Sequence, residues 1–287
     1  MEFKGKDGDR HPPKKMTQTK KVIIRYCITS VYSENRFQSK MESMFCEIFK
    51  PTPVFNHPDF QYIFGGNQEN KLLTLHLEFI ALPQMECIFV NEITPSIIQV
   101  QFPAYPKGPL YIDRRFIKFI KTFKTEIIQF PSKNQILEKM KKRLGTPYLW
   151  GGNFADGVEE LASYYPSSFP LDQKNKDLWT LKGLDCSGLL FEAANGQTPR
   201  NTSELIYFGQ PVHFNHLEPL DLIVYPGHVF FVFNHETVIE SRSPFGVILD
   251  SLEKRMEEIQ KTRSFISNWN SKINKNQHFT IRRIEFK

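Results

Sequence analysis

A cysteine and a histidine in the second half of the chain have the types and spacing of a thiol nucleophile and its base. Cys186 opens an apolar segment, and His228 stands near the start of the strand-like run at 221–232. Such a pair is commonly encoded far apart in sequence and brought together by the fold. The alternative is that Cys186 is a buried core thiol and His228 a hydrogen-bonded strand histidine.

The chemistry of this pair needs a thiolate, because the thiolate and not the thiol is the nucleophile. A free cysteine has a pKa of about 8.5 and is mostly protonated at neutral pH. A helix that begins at Cys186 would direct the positive end of its dipole at the sulfur. An imidazole facing the sulfur would then complete a thiolate–imidazolium pair. We therefore expect Cys186 at a helix start and His228 on a strand packed against that helix.

The base also needs a third group that orients its ring, and Glu240 is the candidate. Residues 228–233 and 237–241 have the pattern of a hairpin closed by the three residues 234–236. A three-residue loop puts Glu240 on the same face as His228 and diagonal to it, about 7 to 8 Å away between α-carbons. A two-residue loop would put Glu240 on the opposite face. The alternative for Glu240 is a solvated carboxylate at a sheet edge.

Around these residues the apolar periodicity indicates an α+β domain. One helix is capped by Ser132 or Asn134 and ends at Gly145, and a second helix runs from Cys186 to Asn195. Strands follow at 221–225, 228–233, 237–241 and 245–249, then a polar helix at 251–263 and a last strand at 278–286.

The first half of the chain has short strand patterns separated by prolines and glycines. The patterns at 22–27, 72–79 and 97–102 show no helical period and are typical of a small β-barrel. We therefore predict a disordered basic tail at 1–20, an all-β barrel domain at 21–125 and an α+β domain at 126–287.

Composition narrows the classes of function. The 287 residues are 40% hydrophobic and 24% charged, as in ordinary globular proteins. Of the net charge of +6, +4 lies within residues 2–21, so the rest of the chain does not indicate a nucleic-acid partner. With no signal-peptide-like or membrane-length apolar run, we expect a cytoplasmic protein without membrane insertion. The four cysteines fit no metal motif, and we expect no metal or cofactor.

Five motifs occur in one order: Gly-Thr-Pro-Tyr-Leu-Trp-Gly-Gly at 145–152, Asp-Cys-Ser-Gly-Leu at 185–189, Pro-Arg-Asn-Thr-Ser at 199–203, Pro-Leu-Asp-Leu-Ile at 219–223 and Gly-His-Val at 227–229. Together they resemble the NlpC family of cell-wall cysteine peptidases, over about residues 133–250. The resemblance implies a papain-like α+β fold. It also implies cleavage of peptidoglycan stem peptides between γ-D-glutamate and a diamino acid.

The resemblance further implies a role for each matching residue. Cys186 is the nucleophile, His228 the base and Glu240 the group that orients the ring. Tyr148 would lie near the thiol and shape the oxyanion site. The remaining substrate-binding positions are Asp185 and Ser187, which would line the pocket for the first residue of the peptide, and Arg200, Thr202 and Ser203, which would lie by the cleft wall.

Several of these residues also have a purely structural reading. Tyr148 can be a core aromatic, Asp185 can cap the helix that starts at Cys186, and Arg200 can be an ion-pair partner. The chain also departs from the family pattern. Glu240 stands where His, Asn or Gln is more common, Leu220 replaces a usual glycine, and the segment 153–184 is long. We expect that segment to be ordered and to form a lid or one wall of the cleft.

The first half weakly resembles a bacterial Src-homology-three-like module at 28–34, 42–47 and 110–117. In relatives with such a module the substrate is a free stem peptide with an exposed L-alanine amine. An acidic residue of the module could hold that ammonium group, and which carboxylate would do so is left open. We expect a monomer, and the resemblance implies stem peptides as its partners. The rival hypotheses are a papain-like deamidase or acyltransferase acting on a protein, and a non-catalytic binder of cell-wall peptides.

Overall fold

The computed structural model describes residues 44–65, 71–123, 129–269 and 274–286. The tail predicted at 1–20 and the strand predicted at 22–27 lie outside these residues. Among the described residues, no helix is long and apolar enough to cross a membrane.

The first half forms a sheet of seven antiparallel strands. In chain order they are β1 (Phe45–Ile48), β2 (Thr52–Phe55), β3 (Leu77–Ala81), β4 (Glu86–Glu92), β5 (Ile97–Phe102), β6 (Tyr105–Asp113) and β7 (Ile117–Ile120). Their order across the sheet is β3-β2-β6-β5-β4-β1-β7. No ladder within the described ranges joins β3 to β7, and the closed barrel stays a prediction.

The strand predicted at 97–102 is confirmed as β5, but the strand predicted at 72–79 is wrong in its first half. Helix α2 (Lys71–His76) occupies that part and leads directly into β3, and α1 (Phe60–Phe64) precedes it. The expectation that this half lacks helices is therefore also wrong. Helices of five and six residues make fewer than two turns, so they leave no apolar period in the sequence.

The segment 153–184 is ordered, as expected, and contains α4 (Glu160–Tyr164) and α5 (Gln173–Trp179). It packs against the first sheet. The Tyr165 ring stacks on Phe64 at 4.5 Å between centroids, and its hydroxyl donates to Asp113 Oδ2 at 2.7 Å. The Trp179 indole N–H donates to the Tyr165 carbonyl oxygen at 2.8 Å. These buried contacts anchor the segment, whereas its role as a lid or cleft wall stays a prediction.

The second half contains the α+β arrangement that the sequence predicts. Helix α3 (Lys133–Lys142) begins at the Ser132 capping box, and α6 (Cys186–Ala193) and α8 (Leu252–Gln260) match the other two predicted helices. The remaining elements are β8 (Asn153–Phe154), β9 (Gly183–Leu184), α7 (Thr202–Leu205), β10 (Gln210–Pro211), β11 (Leu222–Tyr225), β12 (His228–Val232), β13 (Thr237–Arg242), β14 (Gly246–Ser251), β15 (Ser264–Phe265) and β16 (His278–Arg283). The second sheet has the order β10-β16-β11-β12-β13-β14.

Helix α6 packs on this sheet because its apolar side chains form one buried core with the strands. Leu189 and Leu190 are fully buried in the cluster that holds Val229, Phe231 and Ile239. A Cβ at Gly188 would lie 2.0 Å from the Gly152 carbonyl oxygen, so only glycine permits this approach of helix and turn. The packing brings the first residue of α6 against the first residues of β12.

Candidate active site

Cys186 is the first residue of α6 and is 5% exposed. Its Sγ lies 3.9 Å from the carbonyl oxygen of Gly227. The backbone N–H of Val229 also acts on the thiol and lowers its pKa. The sulfur therefore lies against the backbone on both sides of His228, as expected for a helix-start cysteine packed on the histidine strand.

The pKa of the Cys186 thiol is raised to about 12, first by burial and then by the carboxylate of Asp185. The Val229 N–H, the Arg200 guanidinium and the Ser187 N–H act in the opposite direction without cancelling that rise. The helix dipole alone therefore leaves the sulfur protonated at neutral pH. A base must take the proton before the sulfur can attack.

His228 is the first residue of β12, and its Nε2 lies 2.7 Å from Oε2 of Glu240. The register pairs Val232 with Val238 and Phe231 with Ile239, so the hairpin loop has three residues. This geometry confirms the predicted loop and the placement of Glu240 on the same face as His228. The side chain of Glu240 is completely buried, so its reading as a solvated edge carboxylate is wrong.

The ionised carboxylate of Glu240 determines which ring nitrogen of His228 is available. Burial would raise the pKa of Glu240, but the His228 ring and Arg255 outweigh burial and lower it. An ionised carboxylate only accepts hydrogen bonds, so Nε2 carries the proton that it donates to Oε2. In neutral His228 the lone pair is then on Nδ1, which is the nitrogen left to receive a proton from a thiol.

Arg255 on α8 is a residue of this site that the sequence pattern does not reveal. It is 7% exposed, and its Nη2 donates to Glu240 Oε2 at 3.1 Å. Its Nε lies 2.7 Å from Glu240 Oε1, as an ion pair whose N–H points out of line for a hydrogen bond. The sequence shows only a polar helix at this position, and an arginine there is ordinarily solvated.

Tyr148 is half-buried and forms an isolated bridge to Leu184, beside the start of α6. Its pKa is raised by burial and then by the nearby Cys186 and Asp185. The phenol therefore stays protonated and can donate a hydrogen bond close to the thiol. The placement agrees with the predicted role near the oxyanion, and the role itself stays a prediction.

Asp185, Ser187 and Arg200 form one buried network behind the cysteine. Arg200 is 3% exposed and donates to both carboxylate oxygens of Asp185, at 3.0 and 2.6 Å, and to Ser187 Oγ at 2.9 Å. Asp185 Oδ1 also accepts from the Gly188 N–H at 2.6 Å and so caps α6. The structure thus gives Asp185 the capping role and Arg200 the ion-pair role. Their predicted contact with substrate stays a prediction.

Thr202 and Ser203 begin α7, and only Thr202 reaches the site. Its Oγ1 accepts a hydrogen bond from the Gly227 N–H at 3.2 Å, next to His228. Ser203 is exposed, and its hydroxyl donates to Glu204 at 3.3 Å. Of the predicted residues, Ser203 is the one with no described link to the cysteine–histidine neighbourhood.

Glu78 on β3 and Tyr105 on β6 bring a carboxylate of the first sheet to this neighbourhood. The Tyr105 hydroxyl donates to Glu78 Oε2 at 2.5 Å, and Asn56 donates to Oε1 at 2.7 Å. Burial and Glu78 raise the pKa of Tyr105, while Asn201 and Arg200 lower it. Tyr105 therefore lies close to the loop that carries Arg200. The sequence offers no signal for this pair beyond a charge within a strand pattern.

Within the described residues, no group of three or more His, Cys, Asp or Glu side chains could hold a metal ion. The chemistry that the arrangement can perform is that of a thiol, an imidazole, a carboxylate and a phenol. These four groups suit nucleophilic attack on a carbonyl carbon followed by proton transfer to a leaving group.

No protein-family model and no curated protein matches the chain. Solved structures that resemble it are NlpC/P60 family proteins. One from Bacillus cereus is 18% identical with a TM-score of 0.35, over 84% of this chain and 63% of that protein. The peptidoglycan hydrolase RipB of Mycobacterium tuberculosis is 20% identical with a TM-score of 0.33, over 54% of this chain and 67% of RipB. RipD of the same organism, described as a non-catalytic, peptidoglycan-binding NlpC/p60 domain protein, is 20% identical with a TM-score of 0.32, over 42% of this chain and 87% of RipD.

Proposed function

We propose that this chain is a cysteine endopeptidase that hydrolyses peptidoglycan stem peptides. The observation that carries the proposal is that Cys186, at the start of α6, packs against the Gly227 carbonyl oxygen beside His228, whose Nε2 lies 2.7 Å from Glu240. The order of the five NlpC-like motifs supports the same reaction. In this proposal Cys186 is the nucleophile, His228 the base and Glu240 a positioning residue.

The proton on Nε2 and the lone pair on Nδ1 of His228 determine the course of the reaction. Nδ1 of His228 accepts the thiol proton, and Sγ of Cys186 attacks the carbonyl carbon of the scissile amide. The negative oxygen faces the backbone N–H of Cys186 at the positive end of α6, with the Tyr148 hydroxyl as a second donor. The imidazolium then gives its proton to the amide nitrogen, which leaves as an amine and a thioester remains.

Water completes the cycle. His228 removes a proton from a water molecule, whose oxygen attacks the thioester carbon. The carbon–sulfur bond breaks, the acyl product leaves as a carboxylic acid, and the imidazolium returns its proton to the sulfur. Glu240 keeps Nδ1 directed at the reacting atoms throughout, because it holds Nε2.

We propose further that the bond cleaved joins γ-D-glutamate to a diamino acid, in fragments that keep a free L-alanine N-terminus. Glu78 supports the preference for a free L-alanine N-terminus. It is a carboxylate of the first sheet, oriented by Tyr105 and Asn56, and the loop that carries Arg200 lies beside Tyr105. A carboxylate there can accept charge-assisted hydrogen bonds from an ammonium group.

The test is incubation with the tripeptide L-Ala-γ-D-Glu-diaminopimelate, read by mass spectrometry. We expect the native protein to release L-Ala-γ-D-Glu and diaminopimelate, and Cys186→Ala to release neither. If Cys186 is rapidly alkylated but the tripeptide stays intact, the thiol catalyst is kept and this substrate is discarded. Binding of the tripeptide without cleavage, and without alkylation of Cys186, would identify a non-catalytic binder.

Glu78→Gln is expected to weaken selection of the free amine. A hydrogen bond to a charged group contributes about 1.5 to 3 kcal/mol, so kcat/KM for the tripeptide should fall about 10- to 100-fold. The N-acetylated tripeptide, which has no ammonium group, should be cleaved equally by both proteins. The matched control is Glu92→Gln, a carboxylate on β4 paired with Arg114 at the surface. An equal loss on both peptides would show that Glu78 does not read the amine.

A further inference from the structure

We propose that Arg255 is a positioning residue that neutralises Glu240, so that His228 faces an uncharged Glu240–Arg255 pair instead of a bare carboxylate. The inference deepens the proposed function and rests on it, because it assigns how the third group of the reaction works. Glu240 places a buried carboxylate 2.7 Å from the His228 ring, and Arg255 supplies the opposite charge beside it.

The contacts place both partners on the same carboxylate. Oε2 of Glu240 lies 2.7 Å from His228 Nε2 and accepts from Arg255 Nη2 at 3.1 Å. Oε1 lies 2.7 Å from Arg255 Nε. Glu240 is fully buried and Arg255 nearly so, so water screens this interaction little. The guanidinium also covers the Phe230 ring at 5.0 Å, which fixes its plane.

The other cation at the carboxylate lies farther from it. Arg242, on the same strand, approaches Glu240 Oε1 to 3.6 Å, but its Nη2 donates to Asp250 at 2.9 Å. Three further titratable or charged groups lie near the pair. They are Tyr225 of β11, which is hydrogen-bonded to Arg255, Glu258 of α8, which pairs with Arg255, and Arg263, whose guanidinium lies over the Tyr225 ring. The Cys186 thiol of α6 lies by Gly227, next to His228. Among the described residues, Arg255 is thus the cation closest to the Glu240 carboxylate.

The charges of Glu240 and Arg255 act on the pKa of His228 in opposite directions. A bare buried carboxylate would favour imidazolium and raise the pKa of His228, and a bare guanidinium would lower it. The effects of the two charges on the ring therefore oppose each other, and removing one partner exposes the effect of the other.

The experiment measures the pKa of His228 by NMR of its ring Cε1 resonance, assigned with His228→Gln. In parallel, the pH dependence of alkylation by iodoacetamide is read on the Cys186 peptide by mass spectrometry. Neither readout needs a peptide substrate. We expect Arg255→Met to raise the pKa of His228 by about one unit and Glu240→Gln to lower it by about one unit. The double variant Glu240→Gln/Arg255→Met should return to within a few tenths of the native value.

An arginine with a purely structural role would not produce opposite shifts in the pKa of His228 that cancel in the double variant. Two controls sharpen the comparison. Arg255→Lys keeps the charge and should leave the pKa of His228 nearly native, and Arg242→Met should shift it by less than half as much as Arg255→Met. If Arg255→Met does not fold, the double variant is compared with Glu240→Gln alone, where removal of Arg255 must still raise the pKa.

Shifts of the same sign in the two single variants, or no shift in either, would overturn the role of Arg255. The outcome is separable from that of the proposed function. Opposite shifts with an intact tripeptide would support Arg255 and discard the substrate. Tripeptide cleavage without the shifts would support the peptidase and discard Arg255 as its charge partner.

Discussion

His228→Gln is expected to lower tripeptide hydrolysis on the order of 1,000-fold, within the range for removal of a general base. The reason is the state of the thiol without its base. With the pKa of Cys186 at about 12, about one molecule in 100,000 carries a thiolate at pH 7. The imidazole must therefore supply the ionisation that burial and Asp185 oppose. The measurements are kcat/KM for the tripeptide and the alkylation rate of Cys186, each from pH 5 to pH 10.

The shape of the pH profile identifies the cause. In the native protein, alkylation of Cys186 should reach a plateau once the thiolate–imidazolium pair has formed. In His228→Gln the rate should climb about tenfold per pH unit throughout, because the raised thiol pKa is then reached only above the measured range. His235→Gln, an exposed residue of the hairpin turn, is the matched control and should behave as native protein. A native alkylation rate at pH 7 in His228→Gln would exclude the base role.

The features of the site that the sequence predicts are those that depend on local geometry. The length of the loop at 234–236 determines which face of the hairpin Glu240 occupies, and loop length can be read from the pattern of apolar residues. The helix start at Cys186 follows from Asp185 as a cap and from the apolar run after it. These choices depend on a few neighbouring residues, and the structure has them as predicted.

Arg255 and the Glu78–Tyr105 pair escape prediction because tertiary packing alone brings them to the site. Arg255 follows Glu240 by 15 residues, on a helix with a polar pattern. Tyr105 lies 27 residues beyond Glu78. No local rule specifies which long side chain crosses between such elements. The short helix at Lys71–His76 escapes for another reason, since β-forming and helix-forming patterns coincide over six residues.

Arg200 is singled out by a family-like motif, but the structure also gives it a structural role. Its position in a family-like motif predicts the cleft wall. Its contacts tie it to two other parts of the chain: Asp185 at the cap of α6, and the turn before β8, through the Gly152 carbonyl oxygen at 3.3 Å and the Asn153 side chain at 3.3 Å. The predicted place at the cleft wall stays a prediction. Asn153 in turn binds the backbone of Ile80 on β3. The network therefore links the cysteine helix to the first sheet.

Arg200→Met is accordingly expected to destabilise the protein by about 3 to 5 kcal/mol, because it leaves the Asp185 carboxylate buried without its counter-charge. Urea unfolding followed by circular dichroism measures the loss. Arg114→Met is the control, since its ion pair with Glu92 is exposed and should contribute less than about 1 kcal/mol. Asp185→Asn added to Arg200→Met should recover part of the loss, because it removes the unpaired charge while the amide oxygen can still cap α6. Native stability in Arg200→Met together with a raised KM for the tripeptide would instead assign Arg200 to the substrate cleft.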